Sequence, residues 1–588
     1  PYHVYGGQQD NSTVAIASAS SGGIGWKDWY PVGGCESAVP AFDKDDPRFV
    51  YSGCYMGILS EYDHRTGASR NAQAYPSIPI ALSADEMKYR WNWSAPMVVS
   101  QHDPNTIYHG SQMVLRSRDR GKSWEEASPD LTRAQPEKLG YGGGPITNEG
   151  AGGEIYGTLT WIAESALDGD VLWTGSDDGL VYLSRDGGDT WEDVTPDGVP
   201  EGQVNTVEAS PHDPAVAYIA FTRYKFNDFT PWAFKTDDYG ESWTEISEGF
   251  APEHFVRVVR EDPVRRGLLY AGTEQGVYVS FDDGEMWQPM QLDMPITYIT
   301  DLEIQRDRND LVASTGGRGF WILDDLAALQ QAREVGDAEI HLFTNRAAYR
   351  VAGGFGGGFG GGGSVGQNPP NGAVIDFYLS EAPEEGEEVA LEILAADGSL
   401  VRRYSTDPDD EAGEERLQAA AGMNRHVWNL RHADMLEVPG LYIWGSTAGR
   451  RAVPGRYTVR LVAGEQERTA PLEVRVDPRV DTPVAEFMAQ DRVLQSIAGE
   501  LNAMHEGVNQ LTDVRDQVDA VLARAGDMEE TASVERVQEL GAALRDSLTL
   551  VEDSLVQRET YDGQTVLNAP SRLNLQYVYL HGAVDGAD

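Results

Sequence analysis

Lysine is scarce in this chain: the 46 basic residues include only seven lysines, and 94 acidic residues leave a formal net charge of −48. Such a surplus disfavours nucleic acid and anionic membranes as partners, since both would be repelled. It suits a solvated acidic surface, or a face that takes cations or basic polymers. Cysteine is nearly absent too. Cys35 and Cys54 stand 19 apart with no Cys-x-x-Cys or Cys/His ligand spacing, which argues against a metal site built on them. The histidines are scattered without a His-Glu-x-x-His string, so a zinc enzyme finds no ligands, and His505 sits in a helical stretch where a packed or surface role is expected. No apolar run approaches a membrane span and no signal peptide is evident. Yet Pro1 leads directly into strand-like sequence, Tyr2 to Tyr5, so removal of upstream sequence by processing is expected.

What is present is glycine (64), tryptophan (14) and tyrosine (26) in a chain of 588 residues, long enough for two to four domains. That composition suits many short strands joined by tight turns. A short string recurs four times. It reads Ser117, Asp119, Gly121, Ser123, Trp124; then Ser184, Asp186, Gly188, Thr190, Trp191; then Thr236, Asp238, Gly240, Ser242, Trp243; and lastly Ser280, Asp282, Gly284, Met286, Trp287, with methionine in the hydroxyl position. Aspartate and hydroxyl groups can bond turn amides, glycine can take positive φ, and tryptophan can pack between sheets, so the string predicts a hairpin rather than a catalytic device. The tryptophans fall 67, 52 and 44 residues apart, a period close to one four-stranded propeller blade with insertions.

Second strands of successive blades are expected at residues 49–52, 106–109, 171–174, 216–221 and 268–272, giving about seven blades in all. The first blade shows no opening strand, so either residues 340–351 or upstream sequence is expected to complete it. These strings, with Trp91 to Pro96, Asn148 to Gly157 and Gly316 to Asp325, resemble the bacterial sortilin-type BNR/Asp-box propeller proteins over nearly the whole chain. Such proteins are often labelled glycosyl hydrolases, because sialidases and two-propeller xyloglucan-degrading enzymes share the Asp box. The box itself carries no chemistry.

The expected order is therefore a mainly β chain: an Asp-box β-propeller (1–350), a Gly-rich linker (351–371), an immunoglobulin- or fibronectin-like β-sandwich (372–480), and an antiparallel helical hairpin with a C-terminal segment (481–588). The linker is glycine broken by Phe355 and Phe359, and no Gly-Lys-Ser/Thr follows that would make it a phosphate cradle. Alternating runs such as 374–378, 389–394, 425–430 and 456–462 predict the sandwich. In the hairpin, Phe487, Leu494, Ile497, Leu501, Met504, Val508 and Leu511 keep helical spacing, as do Val537, Leu540, Leu544, Leu548, Val551 and Leu555. They read as a core between the two helices with a turn near Gly526, or alternatively as a seam for a second protein.

In a propeller, the turns between second and third strands share one face with the connections between blades. Ligand-binding candidates on that face are Gln9, Asp10, Glu36, Trp91, Trp93, Arg223 and Arg318. Cys35 and Cys54 fall on the same face and are expected to form a disulfide if the chain is secreted. Glu149, Glu154, Asp178 and Glu274 are the carboxylate candidates for glycoside hydrolysis, where their separation would set the stereochemistry; Trp91, Trp93 and Trp232 would then stack on sugar rings. A sialidase would need a third arginine beside Arg223 and Arg318, and none is evident. No cofactor is expected; a structural calcium at Asp177 and Asp178 or at residues 407–411 is the one ion considered. The leading expectation is a secreted, periplasmic or cell-surface binding or scaffold protein whose loop face takes a peptide or glycan. The alternatives are a glycoside hydrolase, working with an upstream propeller fragment, and a structural subunit of a larger surface assembly.

Overall fold

The computed structural model describes residues 2–20, 23–37, 39–141, 155–351, 366–384, 386–408, 415–558 and 568–587. They fall into two compact units, Pro1–Leu326 with Phe359–Asn368, and Ala327–Gly358 with Pro369–Asp588.

The first unit is built of β-sheets. Among its described residues, five four-stranded and two three-stranded antiparallel sheets follow one another along the chain, their strands paired in chain order, consistent with a propeller. The fourth sheet shows why. Its second strand, Leu172–Ser176, is buried at every residue, and its last, Glu192–Asp193, is exposed at both. A strand covered on both faces reads as a continuous apolar run. Here the cover comes from the next sheet, whose Val204, Val207, Ala217 and Ile219 share a core with Val171 and Trp173. The approach is close enough that a Cβ on Gly175 would lie 2.4 Å from Val204, so only glycine fits there. Opening strands of successive sheets contact one another from the second sheet to the seventh. Those of the fourth to seventh sheets each carry a register shift near their start, between Leu159 and Trp161, Val204 and Thr206, Val256 and Val258, and Ile299 and Asp301. Such bulges increase local twist.

The first sheet, His3–Gly7, Thr13–Ala17 and Trp29–Pro31, has three strands. The expectation that residues 340–351 complete it is overturned. Ile340–Leu342 pairs with Ala373–Leu379, and Ala348–Arg350 runs parallel to Gln466–Val476, so both belong to the second unit. Their apolar residues Ile340, Leu342 and Ala348 enter that unit's core, which moves the end of the first unit from 350 back to Leu326. Most of the Gly-rich stretch lies outside the described residues. Its end returns to the first unit, where Gly366 bridges Ile24 and the Asn368 side chain exchanges hydrogen bonds with the Ser20 backbone at 2.9 and 2.7 Å.

The second unit opens with α1 (Ala327–Val335) and holds a three-stranded and a six-stranded sheet over one core that includes Ile375, Phe377, Leu391, Ile393, Trp428 and Leu461. Three further described helices follow: α2 (Val484–Gly526), α3 (Ala532–Leu555) and α4 (Leu573–Asp585). The first half of α2 buries Leu494, Ile497, Leu501, His505 and Val508, with Leu501 packed on Met435 and Val578 and Val508 on Val438 and Val556. His505 Nδ1 lies 2.6 Å from the Leu436 carbonyl oxygen. The second half of α2 differs. Val537, Leu540, Leu544 and Val551 of α3, expected to form a hairpin core, are 42 to 53 % exposed. The helices do meet, since a Cβ on Gly541 would lie 2.6 Å from Leu522, but two helices alone cover only one side of each stripe.

Candidate functional site

The repeated string closes the turn between third and fourth strands. Asp119 Oδ1 accepts the amide of Ser123 at 2.8 Å, Oδ2 accepts its hydroxyl at 2.7 Å, and the Ser117 hydroxyl accepts the Gly121 amide at 2.7 Å. Asp186 and Asp238 repeat this with Thr190 and Ser242; Asp282 keeps only the amide bond, because Met286 has no hydroxyl. Each tryptophan then donates its indole N–H to a carbonyl of the preceding sheet: Trp124 to Ala72, Trp191 to Ala127, Trp243 to Val194 and Trp287 to Ile246, at 2.7 to 3.0 Å. The strings bind sheet to sheet, and the turns between second and third strands lie at the sheets' other end.

That other end gathers most candidates, in an arrangement the sequence did not disclose. The Asp177 carboxylate accepts the amides of Gly157 and Thr158, at 3.0 and 2.9 Å, and the Thr158 hydroxyl at 3.0 Å. Asp178 accepts the Arg133 amide at 2.8 Å and the Ser176 hydroxyl at 2.6 Å. Burial holds both carboxyls above the ordinary aspartate range, and Asp178 adds to the effect on Asp177. Beside them Lys138 Nζ reaches both oxygens of Glu201 at 2.5 and 2.6 Å, and the Tyr156 hydroxyl donates to the same carboxylate. Burial opposes ionisation of Glu201, yet Lys138 and Tyr156 outweigh it and lower its pKa. Tyr156 is driven the opposite way, by burial and by Glu201, and stays a neutral donor. Arg223 donates to the Glu201 carbonyl at 2.8 Å and pairs with Asp228.

Next to this network Arg257 donates twice to Glu274 Oε2, at 3.0 and 2.8 Å, with its guanidinium 5.0 to 5.5 Å from the ring centres of Tyr224, Phe255 and Tyr298. On the second sheet's side, Trp93 stacks on Tyr55 with ring centres 5.2 Å apart and planes 11° off parallel. Glu36 accepts the Asp10 amide at 2.5 Å and the Gln9 side chain at 3.2 Å. Cys35 and Cys54 are joined in a disulfide with Cα atoms 5.0 Å apart. Arg318 is exposed, and its backbone carbonyl accepts the Trp321 indole N–H at 3.1 Å.

One expectation needs correction. Trp91 is buried, lying over Gly57 with ring centres 4.6 Å from His109, so no ligand can stack on it; burial of Gly57 beneath an indole requires that arrangement. Of the four carboxylate candidates, Asp178 and Glu274 are occupied by protein donors, Asp178 by Arg133 and Ser176 and Glu274 by Arg257. Glu149 and Glu154 lie outside the described residues. Trp232 packs on Phe221, ring centres 5.6 Å apart. Among the described residues, no group of three or more histidine, cysteine, aspartate or glutamate side chains is placed to hold a metal ion, and no helix is long and apolar enough to cross a membrane. Arg133, Lys138, Tyr156, Glu201 and Arg257 were not foreseen. The signal was there for Lys138, one of seven lysines and inside the longest insertion of an acidic chain.

No family model and no curated protein matches the chain. Among solved structures it is similar to YCF48 bound to D1 peptide (15% identity, 49% of this chain and 79% of that one, TM-score 0.33) and to the GH74 xyloglucanase from Xanthomonas campestris (15%, 79% and 77%, 0.40). It is also similar to the Cps50 (Swd1) β-propeller domain from Myceliophteria thermophila (13%, 55% and 93%, 0.38).

Proposed function

We propose that the chain is an extracytoplasmic binding protein whose seven sheets act as propeller blades and whose loop face takes a peptide or glycan, with the immunoglobulin-like sandwich and helices serving for docking. The observation that carries this reading is the contrast on that face: its described candidate carboxylates are consumed by internal donors, while Trp93 on Tyr55 and the Tyr298 ring beside Arg257 leave partly exposed rings there. Partly exposed rings suit sugar faces and peptide side chains alike.

The test is calorimetric titration of the full chain with a xyloglucan oligosaccharide and with a lysine-rich peptide. Binding of either, weakened about tenfold by Trp93→Ala or Arg257→Ala, supports the reading. Binding of neither, or affinity indifferent to both substitutions, overturns it. Release of reducing ends by the wild type but not by Glu149→Gln or Glu154→Gln would replace it with hydrolysis.

A further inference from the structure

Beyond Val508, α2 and α3 form an arm with one open face. Val514 and Val521 of α2, with Val537, Leu540, Leu544 and Val551 of α3, are each 41 to 53 % exposed. A groove of about 350 Å³ runs along this face, lined by Val514, Val521, Val537, Leu540 and Leu544 among others. What surrounds the stripe is unusual for a chain of net charge −48. At 3.6 residues per turn, Asp516 and Asp519 of α2 and Glu535, Glu539, Asp546 and Asp553 of α3 fall on the far side of their helices, and all six are exposed. The exposed flanks of the stripe carry Gln517, Arg524, Arg536 and Ser547, with a single acid, Asp513, among the described residues of the two helices. A face emptied of carboxylates in so acidic a protein can meet another copy of itself without repulsion, and depletion of charge marks the core of an interface.

The pattern is also self-complementary. Leu522 lies beside Gly541 and Asp519 pairs with Arg545 at 3.7 Å, so Val518 and Leu544 stand at nearly one level along the arm. A two-fold axis at that level, perpendicular to the helices in the plane of the face, sets Leu544 against Leu544 of the partner subunit. It also sets Val537 against Val551 of the partner subunit, each being seven residues from Leu544. Asp513 then meets Arg524 of the partner subunit, the two lying five and six residues from Val518. Within one chain they are about 16 Å apart along α2, and neither has an ion-pair partner among the described residues. A segment of the chain itself, laid over the face, would need no such symmetry. The nine residues 559–567 are also too short for it. They start beside Thr512, whose hydroxyl accepts from Arg558 at 2.8 Å, and out and back they reach about 15 Å, against about 21 Å from Thr512 to Gly526.

We propose that this face joins two copies of the chain, arm against arm with tips opposed, as an antiparallel four-helix bundle centred on Leu544. The open face is about 27 Å long and about 20 Å wide, so a flat footprint of about 540 Å² is covered on each copy, below the about 800 Å² per partner of a standard interface. The dimer is therefore reversible, and the single chain with its face open is the species in dilute solution. The arm is separate from the loop-face residues and the proposal does not rest on them.

The test is sedimentation equilibrium of the full chain over about a hundredfold range of concentration. The expected result is a reversible monomer–dimer equilibrium that Leu544→Glu abolishes, while the helical circular dichroism is kept because the position is exposed in the single chain. Asp513→Arg or Arg524→Asp alone should weaken the dimer about tenfold, and the two together should restore it, because the swapped charges meet only between copies. The proposal is overturned by a monomer at every concentration, by a dimer indifferent to Leu544→Glu, or by a double swap that fails to recover affinity. A monomer whose amides at 514–544 are nonetheless protected from exchange would overturn it in favour of a covering segment of the same chain.

Discussion

Single residues divide here between those that fasten sheets and those that hold charge. Trp287 is the clearest fastener: it is buried, stacks on Phe250 with ring centres 4.8 Å apart, and donates to the Ile246 carbonyl. Trp287→Ala should cost about 3–5 kcal/mol, read as a lower denaturant midpoint of the first unit. Trp124→Ala, at a half-buried copy of the same position, should cost less. Asp177 represents the ionisable groups, held here in its neutral form by burial. Its raised pKa means that the native state keeps a proton the unfolded chain has lost, so its contribution falls as pH rises above about 4, the ordinary aspartate value. Asp177→Asn should remove that part of the pH slope of stability; an unchanged slope between pH 4 and neutrality would refute the assignment.

Among elements, α2 and α3 show a pattern read correctly as helix but not as core. Periodicity reports which residues share a stripe; what covers the stripe depends on neighbours far along the chain. For Leu501 the cover is Met435 and Val578, and for Leu540 there is little. Leu501→Ala should therefore cost about 2–5 kcal/mol, whereas Leu540→Ala should stay within about 0.5 kcal/mol. Amides of residues 514–544 should exchange faster than those of 494–508, and equal protection along α2 would mean that something covers the distal half. The strands Ile340–Leu342 and Ala348–Arg350 carry the same lesson. That this stretch completes a sheet was an expectation, but which sheet its strands join was decided by Ala373–Leu379 and Gln466–Val476.

At the scale of the whole molecule, the chain folds into two compact units assembled from different sequence stretches, and its two cysteines are both in the first. Calorimetry should resolve two transitions. Cys35→Ser with Cys54→Ser should destabilise the first unit by about 3 kcal/mol, the value for a loop of this length, and leave the second transition where it was. A single transition, or an equal shift of both, would contradict that division. The four repeated strings, the β character and the helices were determined by the sequence itself, because turn chemistry and periodicity act over a few residues. Burial of Trp91, the donors that occupy Asp178 and Glu274, and the place of residues 340–350 were decided only in the tertiary structure. Each depends on which distant strand, ring or guanidinium arrives beside it, and that proximity is set by the packing of sheets, not by local spacing.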